Sequence, residues 1–409
     1  MSSLRSVPAR AWKALAGAQL GWMLDAMDFL LFTFALRAIQ QEFALSSRSM
    51  GMLTSVALVA SAIGGITFGR LADRIGRVAA MSLSILCYSL ATGGLAFSST
   101  LGQLVFWRAL VGFGMGGEWS AGSVLVSESW PAEHRAKAVA MMQASWAVGA
   151  LLAAGLSSLI LEPYGWRALF LIGALPAVLA FFVRRNIEEP ELWKASRASS
   201  ARKRSLSSLA SGTLLRRVLL GSLLSSCVLV AYWGLITWLP TFLATSTSGG
   251  GAGLSLTKSA RWLILMQLGA LAGYLSFGWI ADRFGRRPAF TMFMIGASIV
   301  VPVYAYAAGN ARVLLLVGPL LGYFAHGYFS LFGALLSELF PTEIRATAQG
   351  FCYNIGRLVA AASPYFIGAA IDAGGFRVAL ASMSFFFALA GGIIWLLPET
   401  KATELGATV

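Results

Sequence analysis

Ionisable side chains are scarce in this chain. Only 12% of its 409 residues are charged, and only 17 residues are acidic. Soluble domains carry about 25% charged residues, so the composition excludes an ordinary soluble protein. The three cysteines lie in apolar runs without metal-ligand spacing, which predicts neither a disulfide framework nor a metal site. There is also no ATP-binding Gly-Lys-Ser/Thr loop and no catalytic cluster, so we expect neither an enzyme nor a cofactor.

Most of the remaining residues are apolar. The chain is 57% hydrophobic with a mean hydropathy of +0.73, and a membrane-spanning helix needs about 20 such residues. The runs predict an all-α membrane protein with twelve spans, at 14–37, 49–70, 79–98, 102–128, 136–161, 166–185, 214–243, 257–281, 288–308, 311–338, 346–371 and 375–397. We therefore expect two six-helix halves, 1–185 and 214–409, joined by a polar linker at 186–213.

Basic residues are concentrated in loops on one side of the predicted bundle. Between Arg184 and Arg217 there are nine Lys or Arg against three acids, whereas loops 97–103 and 244–256 carry no Lys or Arg. The positive-inside rule then predicts that both termini and the linker face the cytoplasm. The net charge of +14 thus reflects topology. We expect a lipid bilayer as the chain's surroundings and no nucleic acid as a partner.

Three charged signatures occur twice at nearly the same spacing. The stretch 69–77 (GRLADRIGR) returns as 278–286 (GWIADRFGR), 209 residues later. Glu128 and Arg135 return as Glu338 and Arg345, and Trp166-Arg167 returns as Phe376-Arg377, each 210 residues later. The chain is therefore two homologous halves. A half-length repeat in a membrane protein is typical of a transporter that rocks about a central site.

The repeated Gly-x-x-x-Asp-Arg-x-Gly-Arg loop resembles the signature loop of the major facilitator superfamily. Three segments, at 25–29, 114–119 and 353–357, are more narrowly similar to the proton-linked sialate, lactate, aromatic-acid and metabolite symporters. Ala26 departs from that pattern, because the family usually has Gly there. The resemblance implies alternating access, a small organic anion and H+ as partners, and a multi-pass, monomeric protein of the bacterial inner membrane.

In that family the repeated loops latch the two halves together on the cytoplasmic face and release when the transporter turns inward. The two glycines would allow close helix approach, and the glutamates would exchange salt bridges with the arginines. An alternative is that these residues only maintain topology and fold. The expected latch residues are Gly69, Asp73, Arg74, Arg77, Glu128 and Arg135, with Gly278, Asp282, Arg283, Arg286, Glu338 and Arg345.

Acids inside predicted spans are candidates for proton coupling, because burying a charge in a membrane costs several kcal/mol. Asp25 lies 11 residues into the first span, roughly 16 Å deep, and Asp28 follows one turn later. We expect Arg108 in the fourth span to neighbour Asp28, and Glu118 to be a further candidate acid. The alternatives are a structural Asp–Arg pair, and a Glu118 bonded to an amide or to Trp119.

Arg357 is the candidate for binding a substrate carboxylate, since it lies in mid-span and a guanidinium can grip a carboxylate bidentately. It could instead pair with Asp25 or Glu118. Asn354, one turn away, could add a hydrogen bond, and His326 could bind substrate or a proton or be a core residue. The remaining candidate lining residues are Gln143, Trp146, Tyr232 and Gln267.

These features predict proton-coupled uptake of a small organic carboxylate. The fifth span lacks the Gly-Pro pair that resembles an exporter hallmark, which favours uptake. One alternative is a facilitator or exporter of a neutral solute such as a sugar or polyol, bound through amides. A non-transporting sensor is the other alternative, and the two intact loops argue against it.

Overall fold

The computed structural model describes residues 7–44, 47–198, 212–254 and 256–401. Fifteen α-helices occur in these ranges. They are α1 Ala9–Glu42, α2 Ser47–Ile75, α3 Arg77–Leu95, α4 Leu101–Ser129, α5 Arg135–Gly173, α6 Pro176–Asn186, α7 Glu191–Ala198, α8 Gly212–Ala244, α9 Leu256–Phe284, α10 Arg286–Tyr306, α11 Ala311–Gly327, α12 Phe329–Leu339, α13 Arg345–Ala360, α14 Ser363–Ala381 and α15 Met383–Ile393. Short 3₁₀ turns lie at Ala132–His134 and Ile394–Leu396.

Nine stretches of the described residues are long and apolar enough to cross a membrane. The other three predicted spans fall on α4, on the end of α5 with α6, and on α13 with the start of α14. The all-helical prediction is therefore confirmed, and the helices accommodate twelve spans. Residues 199–211 of the predicted linker lie outside the described residues.

Two helices continue past the predicted ends of their spans, because the chain turns at a single glycine inside each helix. α5 runs through the predicted gap between the fifth and sixth spans, and Gly165, with φ 78°, turns the chain inside it. Gly375, with φ 79°, does the same inside α14. The two glycines are 210 residues apart, and this left-handed φ strains any other residue. The internal repeat thus extends to backbone geometry.

The two halves meet chiefly along two helix pairs, α2 against α13 and α5 against α9. Glycine allows both contacts. A Cβ on Gly69 would lie 2.6 Å from the carbonyl oxygen of Ala346, and a Cβ on Gly278 would lie 2.8 Å from that of Ala136. Side chains at these positions would force the halves apart, which accounts for the glycine that opens each repeated loop.

The segment after each half's last span caps the third helix of the same half. Glu189 accepts hydrogen bonds from the backbone amides of Arg77 (2.6 Å), Val78 and Ala79 (both 3.1 Å). Glu399, 210 residues later, accepts from the amides of Arg286 (2.8 Å) and Arg287 (3.1 Å). Amides at a helix N-terminus lack partners in the helix, so these carboxylates satisfy them and complement the helix dipole.

The third repeated signature lies at the opposite end of the first half and bonds to α1. Glu42 at the end of α1 accepts hydrogen bonds from the Trp166 indole (2.7 Å) and the Arg167 guanidinium (2.8 Å). The bond from Arg167 holds the pKa of Glu42 below its usual value. Because the pair is partly exposed to solvent, we expect it to contribute little to stability.

Removing the Glu189 cap should destabilise the protein. We expect Glu189→Ala to lower the free energy of unfolding by roughly 0.5–2 kcal/mol, the usual cost of losing a helix cap. Thermal unfolding in detergent, followed with a thiol-reactive dye, measures the effect. Glu188→Ala is the control because its side chain is 78% exposed and makes one long ion pair, with Lys194 at 3.8 Å. Equal melting temperatures for the two variants would show that the cap is energetically unimportant.

The end of the bundle that carries the repeated loops should face the cytoplasm. We expect an impermeant maleimide added to intact cells to label Ser248→Cys and not Ala195→Cys, because the two exposed positions lie at opposite ends. Permeabilised cells should label both. Labelling of Ala195→Cys in intact cells would reverse the orientation.

Candidate functional site

At the end with the repeated loops, buried ions join the two halves. Glu128 at the end of α4 pairs with Arg77 of its own half (2.9 Å) and with Arg345 of the other half (2.5 Å). All three side chains are buried. Arg77 also donates to the carbonyl oxygen of Thr342, in the second half, at 2.9 Å. Glu128 therefore binds arginines of both halves.

Glu338 makes the corresponding contacts from the second half. It pairs with Arg286 of its own half and with Arg135 of the other half, both at 2.9 Å. Thr400 adds a hydroxyl donor to the same carboxylate at 2.6 Å. We call these six residues, Arg77, Glu128, Arg135, Arg286, Glu338 and Arg345, the charge cluster.

The loop aspartates also cross the interface between the halves, through backbone amides. Asp73 accepts from the amides of Ala346 (3.2 Å) and Thr347 (2.8 Å) and from the Thr347 hydroxyl (2.6 Å). Asp282 accepts from the amide of Lys137 at 3.3 Å. Each aspartate thus caps the start of a helix in the opposite half.

Two of the predicted latch arginines lie outside the charge cluster. Arg74 and Arg283 are exposed, and within the described ranges neither side chain has a carboxylate within 4.0 Å. Their carbonyl oxygens instead accept from Arg197 (3.1 Å) and Lys401 (2.8 Å). The expected salt bridges from these two arginines are therefore wrong. Each directly precedes the end of a helix, where a long side chain extends into solvent.

A cavity of about 40 Å³ lies between the halves, near the middle of the spans. Asp25 of α1 and Arg357 of α13 both line it, and Arg357 donates a hydrogen bond to the Ser61 hydroxyl of α2. The rest of the lining is Trp22, Phe29, Ala57, Leu58, Gly112, Met115, Trp146 and Trp233. Ligand pockets measure roughly 300–1,000 Å³, so the cavity must enlarge to admit an organic molecule.

A pair of stacked rings separates this cavity from the charge cluster. Trp119 of the first half and Tyr353 of the second have ring centroids 4.0 Å apart and an interplanar angle of 25°. Trp119 donates its indole N–H to Gln143 at 2.8 Å, and the Arg357 guanidinium lies 5.2 Å from the Tyr353 ring centre. Gln143 thus positions the Trp119 ring and does not line the cavity.

Glu118 is a second buried acid close to Asp25, and it does not line the cavity. A Cβ on Gly21 would be 3.2 Å from the carboxyl carbon of Glu118, and Gly21 is one helical turn, about 6 Å, from Asp25. Among the described residues, no hydrogen-bond partner is found for either Glu118 oxygen or for Oδ1 of Asp25. The alternative reading, a bond between Glu118 and Trp119, is not found there, because the indole is bound to Gln143.

The predicted Asp28–Arg108 ion pair is wrong as a direct contact. Asp28 accepts from the Thr92 hydroxyl at 2.6 Å, and the Arg108 guanidinium lies over the Phe32 ring, 3.8 Å from its centre. No Asp28–Arg108 contact within 4.0 Å occurs in the described chain, although their charges interact. Similar depth on two helices does not make two side chains face each other. Both residues lie inside the first half, away from the cavity lining.

Four other candidates do not line the cavity. His326 contacts the Gly322 carbonyl through Nδ1 at 3.1 Å, and its ring meets the edge of Tyr232 at 5.1 Å. Asn354 donates to the Gly350 carbonyl at 2.8 Å, and Gln267 is half-buried on α9. Of the seven predicted substrate-binding residues, Arg357 and Trp146 face the cavity.

Several lining residues escaped the sequence analysis, although a signal for some of them was present. Trp22 and Phe29 lie three residues before and four after Asp25, so they share one face of α1 with it. Met115 lies three residues before Glu118 on α4, so the same spacing marks it, whereas no charge near Ser61 on α2 marks the cavity face.

Comparison with known proteins gives the family. The model of the Major Facilitator Superfamily matches residues 20–260 and again residues 248–408. The chain therefore belongs to the major facilitator superfamily, a family of multi-pass membrane transporters, and it is not an enzyme.

Relatives of similar length agree with this assignment. A Haemophilus influenzae protein named "Putative metabolite transport protein" is 36% identical, and the match covers 98% of this chain and 99% of that protein. A Cupriavidus pinatubonensis protein named "Probable 4-methylmuconolactone transporter" is 33% identical, with 94% and 90% covered. The cis,cis-muconate transport protein of Acinetobacter baylyi is 28% identical, with 97% and 96% covered.

Among solved structures, the proton:xylose symporter of Escherichia coli has the same fold. The TM-score is 0.83, and the match covers 97% of this chain and 98% of that one. The sequences are 20% identical. This likeness confirms the predicted twelve-helix fold and does not extend to the substrate.

Breaking the charge cluster should open this end of the bundle. We expect Glu128→Gln to favour a state with the halves apart, because removing one partner of a buried pair costs roughly 3–5 kcal/mol. Spin labels at Arg74→Cys and Arg283→Cys, with the native cysteines replaced by serine, would report a longer distance. Glu343→Gln, at an exposed position, is the control. An unchanged distance distribution in Glu128→Gln would show that the cluster does not hold the halves together.

Proposed function

We propose that this protein is a proton-coupled symporter that takes up a small organic carboxylate by alternating access. One observation carries the proposal: Arg357 and Asp25, one from each half, line a single cavity between the halves. Arg357 would bind the substrate and Asp25 the proton. Because the two residues lie between the halves, movement of the halves changes the surroundings of each.

The composition of the cavity supports a substrate with a flat, apolar body. Three tryptophans, a phenylalanine and a methionine contribute to the lining, and Ser61 supplies the one hydroxyl among the described lining residues. A polyhydroxylated sugar would lose hydrogen bonds to water there without replacement, which costs affinity. The named muconate and muconolactone transporters among the relatives support the same class of substrate.

Coupling follows from the electrostatics of the cavity. When Asp25 is ionised, its negative charge offsets the Arg357 cation and repels an incoming carboxylate. When Asp25 is protonated, Arg357 is free to bind the substrate through charge-assisted hydrogen bonds. Proton and carboxylate therefore favour each other's binding, and by linkage the effect is reciprocal. Glu118, one turn deeper, is the next proton site towards the charge cluster.

The movement itself would use the contacts between the halves. The charge cluster and the loop residues Gly69, Asp73, Gly278 and Asp282 close one end in the present state, as in a latch. We propose that this end faces the cytoplasm of a bacterium, with the protein in the inner membrane as a monomer. Residues 1–185 and 214–409 would be the moving halves, and 186–213 their linker.

Uptake into proteoliposomes tests this proposal. The panel is benzoate, muconate, lactate, shikimate and sialate, with xylose as the neutral solute, each with and without an inward proton gradient. We expect gradient-driven accumulation of an unsaturated or aromatic acid and none of xylose. Xylose flux without acid flux would favour the neutral-solute alternative.

Two variants assign the roles of Arg357 and Asp25. Arg357→Gln should raise the half-saturation concentration by roughly tenfold to hundredfold, since a hydrogen bond to a charged group contributes about 1.5–3 kcal/mol. Asp25→Asn should abolish accumulation and retain exchange of labelled for unlabelled acid. Arg312→Gln, exposed at the start of α11, is the control. Acid flux indifferent to both the gradient and Arg357 would contradict the proposal.

A further inference from the structure

A second cavity opens at the charge-cluster end, away from the central one. It has a volume of about 300 Å³ and lies between the start of α8 and the end of the last span. Its lining is Thr213, Arg216, Arg217, Leu220, Leu396, Leu397 and Pro398; we call it the Arg216 groove. Five of these residues belong to the apolar stretches Gly212–Leu239 and Gly375–Leu396, and Leu397 and Pro398 directly follow the second stretch, so the groove lies where two spans leave the membrane.

The charge of this groove is not compensated by the protein. Within the described part of the chain, neither Arg216 nor Arg217 has a carboxylate within 4.0 Å, and Arg216 is exposed. Arg217 donates one N–H to the carbonyl oxygen of Leu339 at 2.9 Å. No Asp or Glu occurs anywhere between Glu191 and Asp282, whereas residues 194–217 include seven Lys or Arg. The groove therefore attracts an anion.

Its apolar side indicates what kind of anion. Leu396 is 55% exposed and lines the groove with Pro398 from the end of the last span, while Leu220 lines it from α8, one turn after Arg216. At this depth in the membrane, a phospholipid presents both a phosphate and an acyl chain. Basic pockets at the ends of spans bind such headgroups. Guanidinium groups bind phosphate through paired N–H donors. A soluble anion would leave the leucines unpartnered.

We propose that the Arg216 groove binds an anionic phospholipid, with its phosphate on Arg216 and Arg217 and its acyl chain along Leu220 and Leu396. The positive-inside rule accounts for the side of the membrane on which these arginines lie. It does not account for a groove that combines them with leucines. This site is independent of the transported substrate.

The groove is also connected to the charge cluster. Arg217 bonds to Leu339, the residue after Glu338, and Pro398 precedes the cap residue Glu399. Thr400, two residues after Pro398, donates to Glu338. A lipid in the groove would therefore hold both chain segments that support Glu338, and we expect it to stabilise the closed state of this end.

Native mass spectrometry of the full chain in detergent tests the site, with phosphatidylglycerol as the probe and phosphatidylcholine as the neutral lipid. We expect the wild-type protein to bind phosphatidylglycerol more tightly. Arg216→Gln should weaken phosphatidylglycerol binding about fivefold, the effect of one basic residue near a membrane surface. Binding of phosphatidylcholine should not change. Arg312→Gln removes the same charge at the opposite end and should leave both affinities unchanged.

The acyl contact has its own variant and its own competitor. Leu396→Ser should weaken phosphatidylglycerol binding without a change of charge, whereas Leu316→Ser, at a position 73% exposed on α11, should not. Excess glycerol 3-phosphate should fail to displace the lipid. Equal effects of Arg216→Gln and Arg312→Gln, or displacement by glycerol 3-phosphate, would overturn the proposal.

Discussion

The arrangement of the protein depends on two buried glutamates that are each shared between its halves. Glu128 and Glu338 both bind one arginine from their own half and one from the other. A buried carboxylate needs such partners, because leaving either glutamate unpaired would cost several kcal/mol. Separation of the halves removes one arginine from each glutamate and leaves the other in place. The closed end is thereby held firmly, and opening it never strips a glutamate of all its charge partners.

The internal repeat is preserved at the contacts between the halves and is absent among the ionisable residues of the central region. The charge cluster, the loop aspartates and the helix caps all recur at an offset of 209 or 210 residues. The ionisable residues of the central region do not recur. At the same 210-residue offset, Asp25, Glu118 and Arg357 correspond to Leu235, Tyr328 and Ala147. Under the proposed function, the first half contributes the proton sites and the second half the substrate cation, so that coupling requires the two halves to meet.

Much of this could be predicted because hydropathy and repeat spacing are properties of the chain alone. The depth of Asp25 and of Arg357 along their spans correctly indicated a shared central cavity. Depth failed for Asp28 and Arg108, since it does not specify the direction in which a side chain leaves the helix axis. The sequence also could not show that each glutamate binds an arginine of the opposite half, because this pairing depends on how the halves dock. Ser61 has no charge or motif to mark it.

The caps formed by Glu189 and Glu399 have a consequence for the order in which the protein is built. Each cap residue lies about 110 residues after the loop that it stabilises, beyond the last span of the same half. During synthesis, the first repeated loop therefore stays without its cap until all six spans of its half have emerged from the ribosome. Assembly of each half is completed by its own final segment, before the two halves can close on each other.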